Sequence, residues 1–431
     1  MKVLIVGASG FIGSRLVRKF AAKGHPVICC GRHVEGLHRQ FPQLLSIPVD
    51  FGRDGLDDWL SRLGGVDLVI NAAGVIGDGS GNPMDAVHTT GPQALFEACM
   101  KAGVKQVIQI SALGADPAGA TRYYRSKGSA DAFLAGVDPP RKQLRWTIIR
   151  PSVVVGRGGG SHGLFASMAA WPLMPRLGQG RWRVQPIHVL DLVELVYAIA
   201  LDNGPIPPQI EAAGAEPLTT DGLTAIFRQW LGLKPGRFMT IPTKFLIFAG
   251  WVGDRLPLGP LNSDALAMLM GDNVRSTSEP VNPDGCQPRS LELAMLEEPA
   301  TEADLWQARL FHLRPLLRWV LGLFWIASGL IPILIHSAQS EGYALLERLD
   351  LTGGWADATL YGAAALDVLL GGLLLASFKV RLVGGVQIFA TLFFSAIIIA
   401  SMPEFLWHPF GSLTKNIPLI AATAIMMILE E

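Results

Sequence analysis

Apolar positions change their period along the 431-residue chain. Short, nearly unbroken apolar runs come first, at residues 2–6, 27–30, 45–49, 68–71, 106–110 and 146–150. Runs of that length with little polar alternation predict strands buried on both faces. Between them, stretches near 11–23, 55–63, 84–102 and 122–135 repeat their apolar residues at helical spacing. Strand and helix thus alternate to about residue 150, the pattern of an α/β fold with a doubly wound, Rossmann-type parallel sheet.

Residues 151 to about 300 are less regular. Positions 156–163 read as a glycine-rich loop, 171–175 and 205–208 as further breaks, and 276–290 as a surface loop or linker. Leu223, Ile226, Phe227, Trp230 and Leu231 share one helical face. The apolar stretch 245–252 fits either a core helix or a helix lying on a bilayer. Thr301 followed by Asp304 opens a capped helix. Beyond it, 316–335, 359–378 and 382–402 are each long enough to span a bilayer. A fourth, shorter segment, 413–429, fits a last span or a buried soluble helix. The expected division is a domain over 1–300, with its substrate-side part at about 151–300, and an all-α four-helix transmembrane bundle over 301–431.

Composition sharpens this picture in three places. The 36 basic and 36 acidic residues cancel, so the chain lacks the footprint of a nucleic-acid binder. Cys29, Cys30, Cys99 and Cys286 form neither a C-x-x-C pair nor a metal cluster, and read as reduced packing residues. The apolar run before the first glycines covers only four residues, too few for a signal-peptide core. Cations then orient the spans. Arg309, Arg314 and Arg318 precede the first, Lys379 and Arg381 follow the second, and the intervening loop is mainly acidic. By the positive-inside rule the chain is a multi-pass protein of the cytoplasmic membrane, with both ends and the first domain in the cytosol. Asp367 interrupts the second span; at roughly 2.5–3.5 kcal/mol a central carboxylate is tolerable there. It is expected to face the bundle, toward an arginine such as Arg318.

Chemistry concentrates at the carboxyl ends of the early strands. Gly7-Ala8-Ser9-Gly10-Phe11-Ile12-Gly13 joins the first strand to a helix carrying Ile12, Leu16 and Phe20. Such a turn aims free N–H groups and the positive end of a helix dipole at open space, a phosphate cradle. Its G-x-x-G-x-x-G spacing is not the more familiar G-x-G-x-x-G. After the second strand stands Arg32, where an NAD site usually places an acid; a guanidinium suits a 2′-phosphate, so NADP is the expected cofactor and NAD the alternative. Tyr123 and Lys127, four apart, share a helical face. An ammonium beside a phenol favours the phenolate and equips the tyrosine for proton transfer. Tyr124, three before the lysine, could point the same way. No metal-binding pattern competes.

Together, the glycine turn, Ser111-Ala112-Leu113-Gly114-Ala115-Asp116 and Tyr123-Tyr124-Arg125-Ser126-Lys127 resemble the extended or atypical short-chain dehydrogenases. The group containing the dehydrogenase-like accessory subunit of respiratory complex I is the nearest likeness. The last 120 residues are similar to the DoxX-like membrane family. The resemblance implies that Gly7, Ser9, Gly10, Phe11, Ile12, Gly13, Asp50, Ala72, Ala73, Gly74 and Lys127 line the dinucleotide. It implies Tyr123, Lys127 and Ser111 as the catalytic set, although the serine match is imperfect. Pro151, Val153 and His188 fall on the substrate side. The expected function is a membrane-anchored NAD(P)H-dependent oxidoreductase acting on a hydrophobic carbonyl, alcohol or quinone-like substrate. The alternative is a non-catalytic nucleotide-binding subunit of a membrane complex.

Overall fold

The computed structural model describes residues 1–75, 83–138, 143–255, 262–276, 287–407 and 413–430. Six strands match the apolar runs: β1 Val3–Val6, β2 Val27–Gly31, β3 Leu45–Pro48, β4 Leu68–Asn71, β5 Gln106–Ile110 and β6 Arg145–Pro151. Of the later strands, those of four or five residues are β7 Leu173–Leu177, β8 Gln209–Ala212 and β9 Arg237–Ile241. The main sheet has seven strands in the order β8-β6-β5-β4-β1-β2-β3, all parallel. The order reverses beside β1, and that switch point is where such sheets open a crevice at their carboxyl edge.

Alternate side chains of the strands face two separate cores. Val3, Ile5, Ile70, Ile108 and Ile149 meet Leu16, Val17 and Phe20 of α1 (Gly13–Ala22) and Leu192, Val196 and Ile199 of α7 (Val189–Leu201). Leu4, Val6, Val69, Val107 and Ile148 face Trp59, Phe96 and Leu134. These three belong to α3 (Leu56–Arg62), α4 (Gly91–Lys101) and α5 (Arg122–Val137). A third core, around Phe165, Met168, Phe227 of α8 (Thr220–Trp230), Leu246, Met295 of α11 (Leu291–Glu297) and Ala308, belongs to the irregular stretch after β6.

Several elements depart from the sequence pattern. The loop expected at 156–163 ends early, because α6 (Gly160–Ala170) begins at its fourth glycine. Only Gly156 and Gly158 keep positive φ, at 147° and 83°. Burial of Phe165 and Met168 against Phe227 outweighs the weak helical preference of glycine. The break expected at 171–175 contains β7, which pairs in parallel with β9. The short helix α2 (Val34–Gln40) and the edge strand β8 carry too few apolar positions to announce themselves.

The chain forms two compact units, Met1–Arg309 and Leu310–Glu431. Entering the second at Leu310, α12 (Glu302–Leu334) is, like α14 (Gly354–Leu375) and α15 (Val380–Ser401), long and apolar enough to cross a membrane. The helices α13 (His336–Arg348) and α16 (Asn416–Leu429) are shorter. The two helices α12 and α14 approach closely through glycine: a Cβ on Gly371 would stand 2.5 Å from the carbonyl oxygen of Gly322. That is the small-residue contact by which membrane helices pack. Arg318 does not face Asp367. Its guanidinium donates to Glu430 at 3.0 Å, while Asp367 packs against Gly329 of α12. The acid at the end of α16 is simply the carboxylate the arginine can reach.

Gly128 of α5 marks the tightest contact behind the site described next. A Cβ there would lie 2.2 Å from the carbonyl carbon of Asp116. Gly128→Ala must push α5 off the loop after β5, an overpacking cost of about 1–3 kcal/mol. Thermal unfolding of the full-length protein should show a lower midpoint for its nucleotide-binding unit.

Candidate functional site

The turn between β1 and α1 has the makings of an anion cradle. Gly7 sits at φ 78°, and a Cβ on it would lie 2.9 Å from the Ala72 carbonyl oxygen. A Cβ on Gly13 would meet the Gly7 oxygen at 2.1 Å, so α1 rests directly on the strand end. The N–H groups of Gly7 and Ala8 donate to Cys30, Gly10 to Gly7 and Ser14 to Gly10. Those of Phe11, Ile12 and Gly13 find no acceptor among the described residues. Three open donors at the positive end of a helix fit a pyrophosphate. The residues therefore suit the dinucleotide expected from the sequence.

Other expected cofactor residues border this turn. Arg32 is exposed just past β2 and makes no ion pair among the described residues. The Ser9 hydroxyl lies 3.8 Å from where a Gly31 side chain would start. Asp50 follows β3 and accepts the Gly52 N–H at 2.9 Å, shaping its own turn. Ala72 continues β4 by donating to the Val6 carbonyl, and Ala73 donates to the Asn71 side chain. Gly74 leaves room beside Lys127, whose Nζ lies 3.2 Å from where a Cβ would stand.

Tyr123 and Lys127 open α5. Thr121 caps this helix, its Oγ1 accepting the Tyr124 N–H at 3.1 Å. Lys127 is buried, and its Nζ donates to the Ala73 oxygen at 3.2 Å and the Ile110 oxygen at 3.1 Å. The ammonium thus joins the ends of β4 and β5. Burial lowers its pKa to about 8, opposed by the carboxylate of Asp131. The half-buried Tyr123 phenol moves the other way from the sequence expectation. Burial first, then Tyr124 and Asp131, push it up to about 12. The lysine hydrogen-bonds to carbonyls, so its charge does not draw off the phenol proton. Tyr123 therefore keeps its proton at neutral pH. Tyr124 is turned elsewhere: its oxygen accepts from Asn273 at 3.4 Å, and its ring covers Gly114.

Ser111 is buried at the end of β5, and its hydroxyl donates to Asp131 Oδ2 at 2.7 Å. Arg150 Nε donates to that same oxygen at 3.0 Å. With its one proton committed, Ser111 can only accept a hydrogen bond from a substrate. Asp131 is a site residue that the sequence reading missed. It lies four residues beyond Lys127, so Tyr123, Lys127 and Asp131 form one ladder along α5.

His88 was missed as well. It lies in a single turn of π-helix, Ala86–Thr90, just before α4. Such bulges often mark functional positions. Its Nε2 accepts the Val75 N–H at 3.0 Å, so the ring proton is on Nδ1, 2.9 Å from Ser126 Oγ. That hydroxyl in turn donates to the Tyr123 carbonyl at 3.0 Å. Burial pulls the pKa of His88 down to about 2, with Lys127 adding to the effect, so the ring is neutral. It stands edge-on to the Tyr123 ring, centroids 5.4 Å apart. It falls inside the helical stretch 84–102, where no motif in the sequence marks it.

The substrate-side residues come together beyond β6. The Pro151 oxygen accepts from Leu113 at 2.8 Å, and Ile187 donates to the Val153 oxygen at 3.0 Å. His188 is buried, its Nε2 4.0 Å from Glu298, and burial lowers its pKa. Asn273 ties this side to α5: its side chain accepts from Val153 N at 3.1 Å and donates to Tyr124.

Two family patterns and several known proteins match the chain. An NAD(P)H-binding family pattern matches residues 7–164, and a DoxX-like family pattern matches residues 322–424. The chain is 30% identical over 260 residues to a ceramide reductase of Caulobacter vibrioides, covering 58% of this chain and 77% of that protein. It is 24% identical over 307 residues to the mitochondrial NADH dehydrogenase (ubiquinone) 1 alpha subcomplex subunit 9 of Arabidopsis thaliana, covering 67% and 73%. Among solved structures, the UDP-glucose 4-epimerase of Thermotoga maritima overlays with a TM-score of 0.47 at 20% identity, over 56% of this chain and 86% of that one. The chain belongs to the NAD(P)-binding, epimerase-like short-chain dehydrogenase family and carries a DoxX-like domain in its C-terminal part.

Proposed function

We propose that the protein is a membrane-anchored, NADP(H)-dependent reductase of a hydrophobic carbonyl or quinone-like substrate. Its nucleotide-binding unit lies in the cytosol, at the cytoplasmic membrane. The observation that carries this reading is the pair formed by a protonated Tyr123 and a buried Lys127 held at the ends of β4 and β5. A nicotinamide dinucleotide bound at the Gly7–Gly13 turn supplies the hydride. Tyr123 donates the proton that the substrate oxygen then needs, and its raised pKa favours the reducing direction. Lys127 has three N–H donors and spends two on carbonyls, leaving the third for a ribose hydroxyl. His88 and Ser126 hold the Tyr123 backbone, and Arg32 takes a 2′-phosphate. The 30% identity to a protein named a ceramide reductase supports a lipid as the substrate class.

Two observations favour the second reading, an assembly subunit whose nucleotide is structural. The Ser111 proton is held by Asp131, and a relative is a complex I subunit. Stable co-purification in a large complex, with nucleotide that never turns over, would select it.

Tyr123→Phe should lower turnover of NADPH with a long-chain ketone or quinone by about 10²–10⁴-fold, while leaving the NADPH Kd within error. Equal turnover by both proteins removes the catalytic assignment. Arg32→Asp should reverse the preference between NADPH and NADH in a binding titration; an unchanged ratio removes the phosphate contact. Because the Lys127 pKa is lowered, its positive charge is lost above about pH 8 rather than near the usual lysine value. NADPH affinity should therefore weaken as pH rises through that value. Lys127→Met should flatten the dependence.

A further inference from the structure

The helix α9 (Thr243–Gly253) turns the usual arrangement of a soluble helix outward. Leu246 and Gly250 are its buried residues, whereas Phe245, Ile247, Phe248 and Trp251 are 67, 53, 61 and 48% exposed. Each large apolar side chain left in water forgoes about 1.5–3 kcal/mol of burial. Contiguous exposure of this kind marks a surface that something covers. The face is aromatic and basic. Phe248 and Trp251 stack at 5.9 Å, and the Arg255 guanidinium sits 3.8 Å from the Trp251 ring centre. Lys244 is exposed at the other end, while Asp254, the acid of this segment, is bonded to Ser263.

Two observations identify the cover as a bilayer. The first is the composition: aromatic rings flanked by cations are what helices lying in the interface plane carry. The second is the tether. Ala308 is packed in the third core of the nucleotide-binding unit, and the apolar stretch of the first span begins at Leu316. The seven intervening residues, 309–315, reach no more than about 25 Å even fully extended. Ala308, whose core also holds Leu246 of α9, is therefore always within that distance of the first span.

We infer that α9 lies in the membrane interface with Phe245, Phe248 and Trp251 among the acyl chains and Lys244 and Arg255 against anionic headgroups. This deepens the functional reading above, and rests on it only for the route of the substrate. The backbone of Ser263, which opens α10 (Ser263–Met270), lies 3.3 Å from where a Gly250 side chain would start, and the Asp264 carboxylate lies 3.4 Å from the Tyr123 N–H. One short helix separates α9 from the proton donor. Docking of α9 sets the substrate side of the site at the lipid surface, where a lipid-dissolved carbonyl enters without crossing water.

The test uses full-length protein in nanodiscs of phosphatidylethanolamine and phosphatidylglycerol. A nitroxide is placed at Phe248→Cys in a Cys286→Ser background, the other three cysteines being buried. Labels at Arg53→Cys, an exposed turn of the nucleotide-binding unit, and Leu392→Cys, on the outer face of α15, serve as water and lipid standards. The Phe248 label should match the Leu392 label, accessible to oxygen and shielded from a water-soluble nickel chelate. Nickel access equal to that of the Arg53 label overturns the proposal, and shielding from both reagents overturns it in favour of a protein cover. Lys244→Glu with Arg255→Glu should raise the label toward water; an unchanged depth removes the headgroup contact. The depth reading needs no turnover. A lipid-buried label on an inactive protein would therefore sink the reductase reading and leave this one standing.

Discussion

A lysine ammonium sealed between two strand ends is the constraint on which the site depends. Lys127 is only 3% exposed, and taking a charge that far from water is costly unless hydrogen bonds replace its hydration. The carbonyls of Ala73 and Ile110 do so, and Asp131 adds an opposite charge one turn along α5. Those partners exist only if β4, β5 and α5 are all in register. The sheet order, the Thr121 cap and the close approach of Gly128 to Asp116 therefore serve one end, a fixed position for the lysine and for Tyr123 one turn before it.

The same geometry explains why the phenol keeps its proton. A cation lowers a neighbour's pKa only where its field is not already spent. Here the ammonium faces main-chain carbonyls, while Tyr123 has an aromatic wall of His88 and Tyr124 and the Asp131 charge beyond. Desolvation dominates. The Y-x-x-x-K spacing alone could not reveal this, because spacing gives a shared helix face and says nothing of which atoms each side chain has turned toward.

What the sequence made legible followed the same division. Strands buried on both faces, the glycine turn and the Tyr123–Lys127 pair are local patterns, so they could be read one segment at a time. Asp131, His88 and Asn273 could not. Each acts through partners 15 or more residues away: Ser111 and Arg150 for Asp131, Ser126 for His88, and Val153 and Tyr124 for Asn273. The helix α6 hid behind glycines for a related reason. Its stability comes from Phe165 and Met168 packing on Phe227, about 60 residues later, an interaction that outweighs local propensity. In the second unit, the Arg318 partner was misread because an intramembrane acid drew attention from Glu430, a terminal one.

Exposure that looks wasteful in one solvent becomes sensible in two. The helices α14 and α15 leave Leu369, Phe389, Leu392 and Phe393 uncovered, and the nucleotide-binding unit leaves α9 uncovered. A purely aqueous protein would lose stability at both places. On the proposal that α9 docks at a bilayer, a chain whose own helices are long and apolar enough to cross one does not. The sheet answers to water and cofactor, and the helical unit to lipid. The segment from α9 to α10 joins the two, with aromatic rings outward on one helix and, on the next, a carboxylate beside the backbone of Tyr123. For the proposed reductase of a lipid-dissolved carbonyl, that adjacency would shorten the path from the bilayer to Tyr123.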